Sequence, residues 1–107
     1  MSDVPDPAVQ RLLDATNAED PDAFLAAFTE DGVVDDWGRR FVGREAIARW
    51  SEEENIGVHA RFEVTGVRAE GAGQAVDVQV SGAGFTGPST LVFEIDGGRV
   101  RSMVIRG

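Results

Sequence analysis

The chain has 107 residues, room for one domain with a single core drawn from its 42% apolar content. A formal net charge of −9, with all ten basic residues Arg, surrounds it with a negative field that excludes nucleic acid and anionic membrane as expected partners. No apolar run approaches the roughly 18 residues of a membrane span, and the absence of Cys removes disulfides, thiolate nucleophiles and Cys-based metal sites.

The first six residues, Met1-Ser2-Asp3-Val4-Pro5-Asp6, lack the basic start and apolar stretch of a signal peptide and are expected to be flexible. Pro7 opens a helix after Asp6, and Val9, Leu12, Leu13 and Thr16 repeat at helical spacing. Asp20-Pro21 starts a second helix, a capping Asp before a first-turn Pro, with Phe24, Leu25 and Phe28 as its apolar stripe and Gly32 beyond its end. Two short strands around Gly38 follow, then a third helix from near Gly43 to Asn55 that buries Ile47 and Trp50. The second half switches to period two. Val58, Ala60, Phe62 and Val64 form one strand pattern, Val76, Val78 and Val80 the next, and Asp96-Gly97-Gly98 links the last two strands as a hairpin. Helices first and an antiparallel meander after them predict one α+β domain over residues 1–107: a cone-shaped roll of three helices on a strongly curved mixed or antiparallel sheet. Scattered Gly residues suit such bending. A bent sheet closed by helices leaves a pocket at its open end.

Two local patterns carry a resemblance. Phe28-Thr29-Glu30-Asp31-Gly32-Val33-Val34-Asp35-Asp36 is similar to an F-x-x-D-x-x-x-x-D stretch, and Gly43-Arg44-Glu45-Ala46-Ile47 to a G-x-x-A-I helix opening. Gly98-Arg99-Val100-Arg101-Ser102-Met103 is a weaker echo in the last strand. In this order and spacing they resemble the nuclear-transport-factor-2-like superfamily, in its SnoaL-like and ketosteroid isomerase branches. The resemblance implies that Asp36 is the general base that moves a proton on carbon next to a carbonyl. It also places Met103 on the pocket. The chain departs from the isomerase pattern in having no Tyr, and the position resembling the branch's protonated Asp falls near Leu91. Ketosteroid isomerisation itself is therefore not expected.

The residues frame the site as follows. A carboxylate in an apolar cone is a better base near neutral pH than a solvated one. Asp35 competes with Asp36 for that place, because adjacent strand residues point to opposite faces. His59, the single histidine, is the second candidate for proton transfer, with cavity and solvent both open for its face. Trp37, beside Asp36, is a wall residue, as are Phe24, Phe28, Trp50, Phe93 and Met103. Arg39, with its fork of donors, is a candidate to hold an anionic substrate group. The acidic run Glu52-Glu53-Glu54 reads as a solvated helix face. A lone His does not supply a zinc ligand set, and no phosphate-binding glycine motif is present, so neither metal nor cofactor is expected.

Together these readings predict a cytoplasmic, cofactor-free protein that binds a small apolar molecule. It acts as an isomerase-like or cyclase-like acid–base enzyme on a carbonyl or polyketide-like compound, or else as a non-catalytic binding module. An epoxide-opening set of Asp36, Arg61 and Asp77 is a further alternative. A homodimer is expected through the outer sheet face, on the premise that Val76, Val78 and Val80 make that face apolar.

Overall fold

Asp6 caps the first helix, α1 (Pro7–Asn17), through a hydrogen bond from Ala8 N at 2.9 Å, and Pro7 occupies its first position. The computed structural model describes residues 4–82 and 84–106. Residues 1–3 of the segment expected to be flexible lie outside that range. The rest of that segment is held: Gln74 accepts from Asp6 N at 2.7 Å and donates to the Val4 carbonyl at 3.1 Å. Val9, Leu12, Leu13 and Thr16 all face the core, as their spacing predicts.

Asp20 caps α2 (Pro21–Ala26) by accepting from Ala23 N at 3.1 Å. This helix stops earlier than its apolar stripe suggests. Phe28 opens strand β1 (Phe28–Asp36), because its backbone pairs with Val100 of the last strand and Val100 N donates to the Ala27 carbonyl at 2.8 Å. The Phe28 ring still packs edge-on against Phe24, with centroids 5.3 Å apart. A tertiary pairing thus overrides local helical periodicity at this point.

Trp37-Gly38 turns β1 into β2 (Arg39–Val42), and Gly43 leads into α3 (Arg44–Glu54). A short 3₁₀ turn, Ile56–Val58, comes next, with His59 left-handed at φ 59°. The third strand therefore begins at Arg61, and Val58 and Ala60, expected on that strand, precede it. Strands β3 (Arg61–Glu70), β4 (Gly73–Ser81), β5 (Gly87–Asp96) and β6 (Arg99–Arg106) form the antiparallel meander. The six strands order as β2-β1-β6-β5-β4-β3, with β1 parallel to β6 and every other pairing antiparallel.

Register shifts between Phe28 and Val33, Val64 and Gly66, and Glu94 and Ile95 mark irregularities that bend strands and increase twist. The inner face of the resulting cone carries Val34, Val76, Val78, Leu91, Phe93, Val100 and Met103, all buried. This reverses one expectation: Val76, Val78 and Val80 belong to the helix-side core and do not make the outer face apolar. Helix α1 lies on β3 and β6, while α3 lies on β1 and β2. Asn17 ties α1 to β3 through both ends of its amide, donating to the Phe62 carbonyl at 2.9 Å and accepting from Phe62 N at 2.8 Å.

Candidate functional site

The helices close one end of the cone and leave the other open around a cavity of about 440 Å³. Its floor is apolar, made by Leu91, Ile105, Val80 and Phe62. One wall comes from the end of β1, where Asp36 stands, and from the last turns of α3 with Trp50, Glu53, Glu54 and Asn55. Trp37 and Phe85 lie at the mouth, 69% and 59% exposed.

Asp36 is the polar centre of this wall. Its side chain is 16% exposed. Its Oδ2 accepts two hydrogen bonds, from the Trp50 indole Nε1 at 3.1 Å and from Arg39 Nη2 at 2.5 Å. Oδ1 has no hydrogen-bond partner among the described residues. Arg39 also donates to both carboxylate oxygens of Glu54, at 2.6 and 3.0 Å. Glu54 and then Asp36 hold the guanidinium even more firmly protonated than usual, and Arg39 in turn keeps the Glu54 carboxyl below its ordinary range. The pair is expected to stay ionised through neutral pH.

Sheet geometry decides between the two adjacent acids. Asp36 faces the cavity, whereas Asp35, on the opposite face, accepts from Gly38 N at 2.7 Å and caps the hairpin turn. The expectation that Asp35 contacts a ligand in the pocket is thereby corrected. Arg39 does not line the cavity and is paired through both Nη groups with Asp36 and Glu54, so the expectation that it holds an anionic substrate group there is corrected. His59 lies outside the cavity, exposed, with Nδ1 against the Glu19 carboxylate, because the 3₁₀ turn displaces it from the strand. Phe24, Phe28, Phe93 and Met103 are fully buried in the core and do not line the cavity. Their expected place is the pocket wall, but they lie too deep to reach it. Leu91 and Ile105, each two residues from Phe93 and Met103 on the same strands, lie opposite one another and reach the open end.

Trp37 and Trp50 do line the cavity. The sequence reading missed Glu53, Glu54 and Asn55, having assigned the acidic run to a solvated face. The signal was present: Glu53 and Glu54 follow Trp50 by three and four residues and so share its side of the helix. Asp77 accepts from Thr90 and Arg68, and Arg61 donates to the Asn17 carbonyl, so the epoxide-opening set does not converge. Among the described residues, no group of three or more His, Asp or Glu side chains is arranged to hold a metal ion. No helix among them is long and apolar enough to cross a membrane.

Comparison with known proteins places this geometry. Residues 9–103 match the family model described as a SnoaL-like domain. A candidate polyketide cyclase from Sinorhizobium meliloti is 30% identical, with a TM-score of 0.82 over 96% of this chain and 95% of that one. A candidate ketosteroid isomerase from Kribbella flavida is 20% identical, with a TM-score of 0.80 over 94% of this chain and 74% of its own. A protein of ketosteroid isomerase-like fold from Catenulispora acidiphila, solved in complex with trimethylamine, is 18% identical, with a TM-score of 0.84 over 97% and 87%. A search of curated proteins finds no match.

Proposed function

This chain belongs to the SnoaL-like domain family, and we propose that it binds a small, largely apolar molecule in its cone and moves a proton on it with Asp36 as general base. The observation that carries this reading is the placement of one half-buried carboxylate, oriented by Trp50 and Arg39 through a single oxygen, on the cavity wall facing an apolar floor. Orientation by two donors fixes where the remaining oxygen can meet a C–H bond, which is what proton abstraction requires. The chemistry is of the isomerase, cyclase or lyase type on a carbonyl or polyketide-like compound. It calls for no cofactor. The relatives support small-molecule binding, one having been solved with trimethylamine.

A second reading, a binding module without catalysis, is favoured by one specific feature. Leu91 lines the cavity and stands near the position that resembles the isomerase branch's protonated Asp, so an enolate formed by Asp36 would gain no oxyanion donor from that residue. The two readings separate on solvent deuterium exchange into a simple β,γ-unsaturated ketone, 3-cyclohexenone. Exchange that falls by about 100-fold or more in Asp36→Asn supports the enzyme. Binding of the ketone without exchange in the parent supports the module.

The same proposal includes a cytoplasmic location, which suits a chain without Cys, and a homodimer. Its interface is the outer sheet face, where Val33 and Val42 pair across β1 and β2, and Val92 and Val104 across β5 and β6. These four valines replace the three that turned out to face the core.

A further inference from the structure

We propose that the ligand of this cavity is an organic cation with apolar substituents, an alkylated ammonium, seated between the faces of Trp37 and Phe85 and drawn in by the carboxylates of the α3 wall. The inference rests on the reading of the cavity as the binding site and names the class of molecule that it takes.

Three features of the cavity converge on this chemistry. Its polar side chains are acceptors almost throughout: Asp36, Glu53, Glu54 and the Asn55 amide oxygen, with no Lys, Arg or His among the lining residues. The donors nearby are already spent. The Trp50 indole N–H goes to Asp36, the Ser89 hydroxyl donates to the Arg106 carbonyl at 2.6 Å, and the Asn55 amide donates to Ser51. Among the side chains of the described lining residues, the Ser81 hydroxyl, the Trp37 indole N–H and the second N–H of the Asn55 amide remain. A ligand that must accept hydrogen bonds, such as a carboxylate or phosphate, finds few partners here, whereas one that carries positive charge finds several.

Charge points the same way. Asp36, Glu53 and Glu54 contribute three negative charges at the wall, and Arg39, which stands behind it, offsets one. The whole chain adds to this field with its net −9. A cation is therefore concentrated at the mouth before contact.

The aromatic lips supply the contact itself. Exposed aromatic faces attract alkylated ammonium groups through the ring quadrupole while accepting their methyl groups by dispersion. Trp37 is a large aromatic at a solvent-exposed turn, in the left-handed region at φ 55°, where Asn, Asp or Gly is the usual occupant. Phe85 also lines the cavity and is exposed, with its ring over Gly87, at whose position a Cβ would come within 3.1 Å of the ring. Neither ring belongs to the core, and nothing in the fold requires either of them.

The test is a titration of the full chain, labelled with nitrogen-15, using two probes of the same shape. One is 3-hydroxyphenyltrimethylammonium, and the other is 3-tert-butylphenol, its neutral isostere. The two indole N–H signals report the mouth (Trp37) and the wall (Trp50). The cation is expected to bind at least about tenfold more tightly than the isostere, shift the Trp37 signal, and lose its advantage as salt is raised. Glu53→Gln should reduce the preference severalfold. Trp37→Asn, which suits the turn better than Trp and so retains the fold, should weaken the cation by about tenfold or more. Equal binding of both probes, or tighter binding of the phenol, overturns the cation and leaves the cavity reading standing. Shifts confined to the outer sheet face, or no shift with either probe, overturn both.

Discussion

The Trp50 indole donates to Asp36 Oδ2 across 3.1 Å, so that a residue 3% exposed in the core also aims the one carboxylate on the inner end of β1. Packing and site geometry therefore meet in one side chain. Trp50→Ala should cost about 3–5 kcal/mol, as truncation of a buried aromatic does. Trp50→Phe keeps most of the volume and loses the donor, for about 1–2 kcal/mol. Urea denaturation midpoints measure both, and equal costs would mean that the hydrogen bond contributes nothing.

Asp36→Asn separates charge from shape. An Asn at this position can still accept from Trp50, but its attraction to Arg39 weakens. Because Arg39 is half exposed, the pair contributes little, and the variant should lose roughly 0.5–1 kcal/mol while keeping its fold. A gain in stability would indicate that the buried carboxylate is poorly compensated by its two donors.

Trp37 and Gly38 both have positive φ in a two-residue connection, the pattern of a type I′ turn. Trp37→Asn replaces an exposed aromatic with a residue that tolerates this conformation, and should stabilise the chain by about 0.5–1 kcal/mol. Thermal unfolding tests this. Paired with weaker ligand capture, the result would identify Trp37 as a residue held at a cost to stability.

Stability in acid should report on Asp77. Its carboxyl lies below the ordinary value because the Thr90 hydroxyl, and then Arg68, favour its ionised form. A group with a lowered folded value contributes stability above the ordinary carboxylate range and loses it as pH falls through that folded value. The parent should therefore exceed Asp77→Asn in stability near neutral pH, with the gap closing below about pH 4. Urea midpoints measured against pH would show a constant gap if the ion pair and hydroxyl bond do not act through ionisation.

The outer sheet face should bring two copies together. Light scattering at tens of micromolar is expected to give the mass of a dimer. Val104→Arg, at the centre of that face, should shift it to monomer without unfolding the chain. A monomer from the parent protein would remove the dimer from the proposed function.

What could be read from the residues alone was local or periodic. Asp6-Pro7 and Asp20-Pro21 marked two helix starts because capping depends on neighbours in sequence, and the Gly97-Gly98 turn and the Val76-Val78-Val80 alternation marked strands for the same reason. The order of these signals, with the Phe28–Asp36 and Gly43–Ile47 patterns, was enough for the α+β cone and its family. Three matters depended on tertiary structure. Pairing between Phe28 and Val100 ended the second helix, an interaction across 72 residues that no local pattern announces. The valines of β4 could line either face of the sheet by alternation alone, and only the docking of the helices made that face the core. Depth along the cone separated Leu91 and Ile105 at the cavity from Phe93 and Met103 in the core, although each pair shares a face. Period two assigns a side of a strand, but the end of the sheet that stays open is set by where α1 and α2 come to rest.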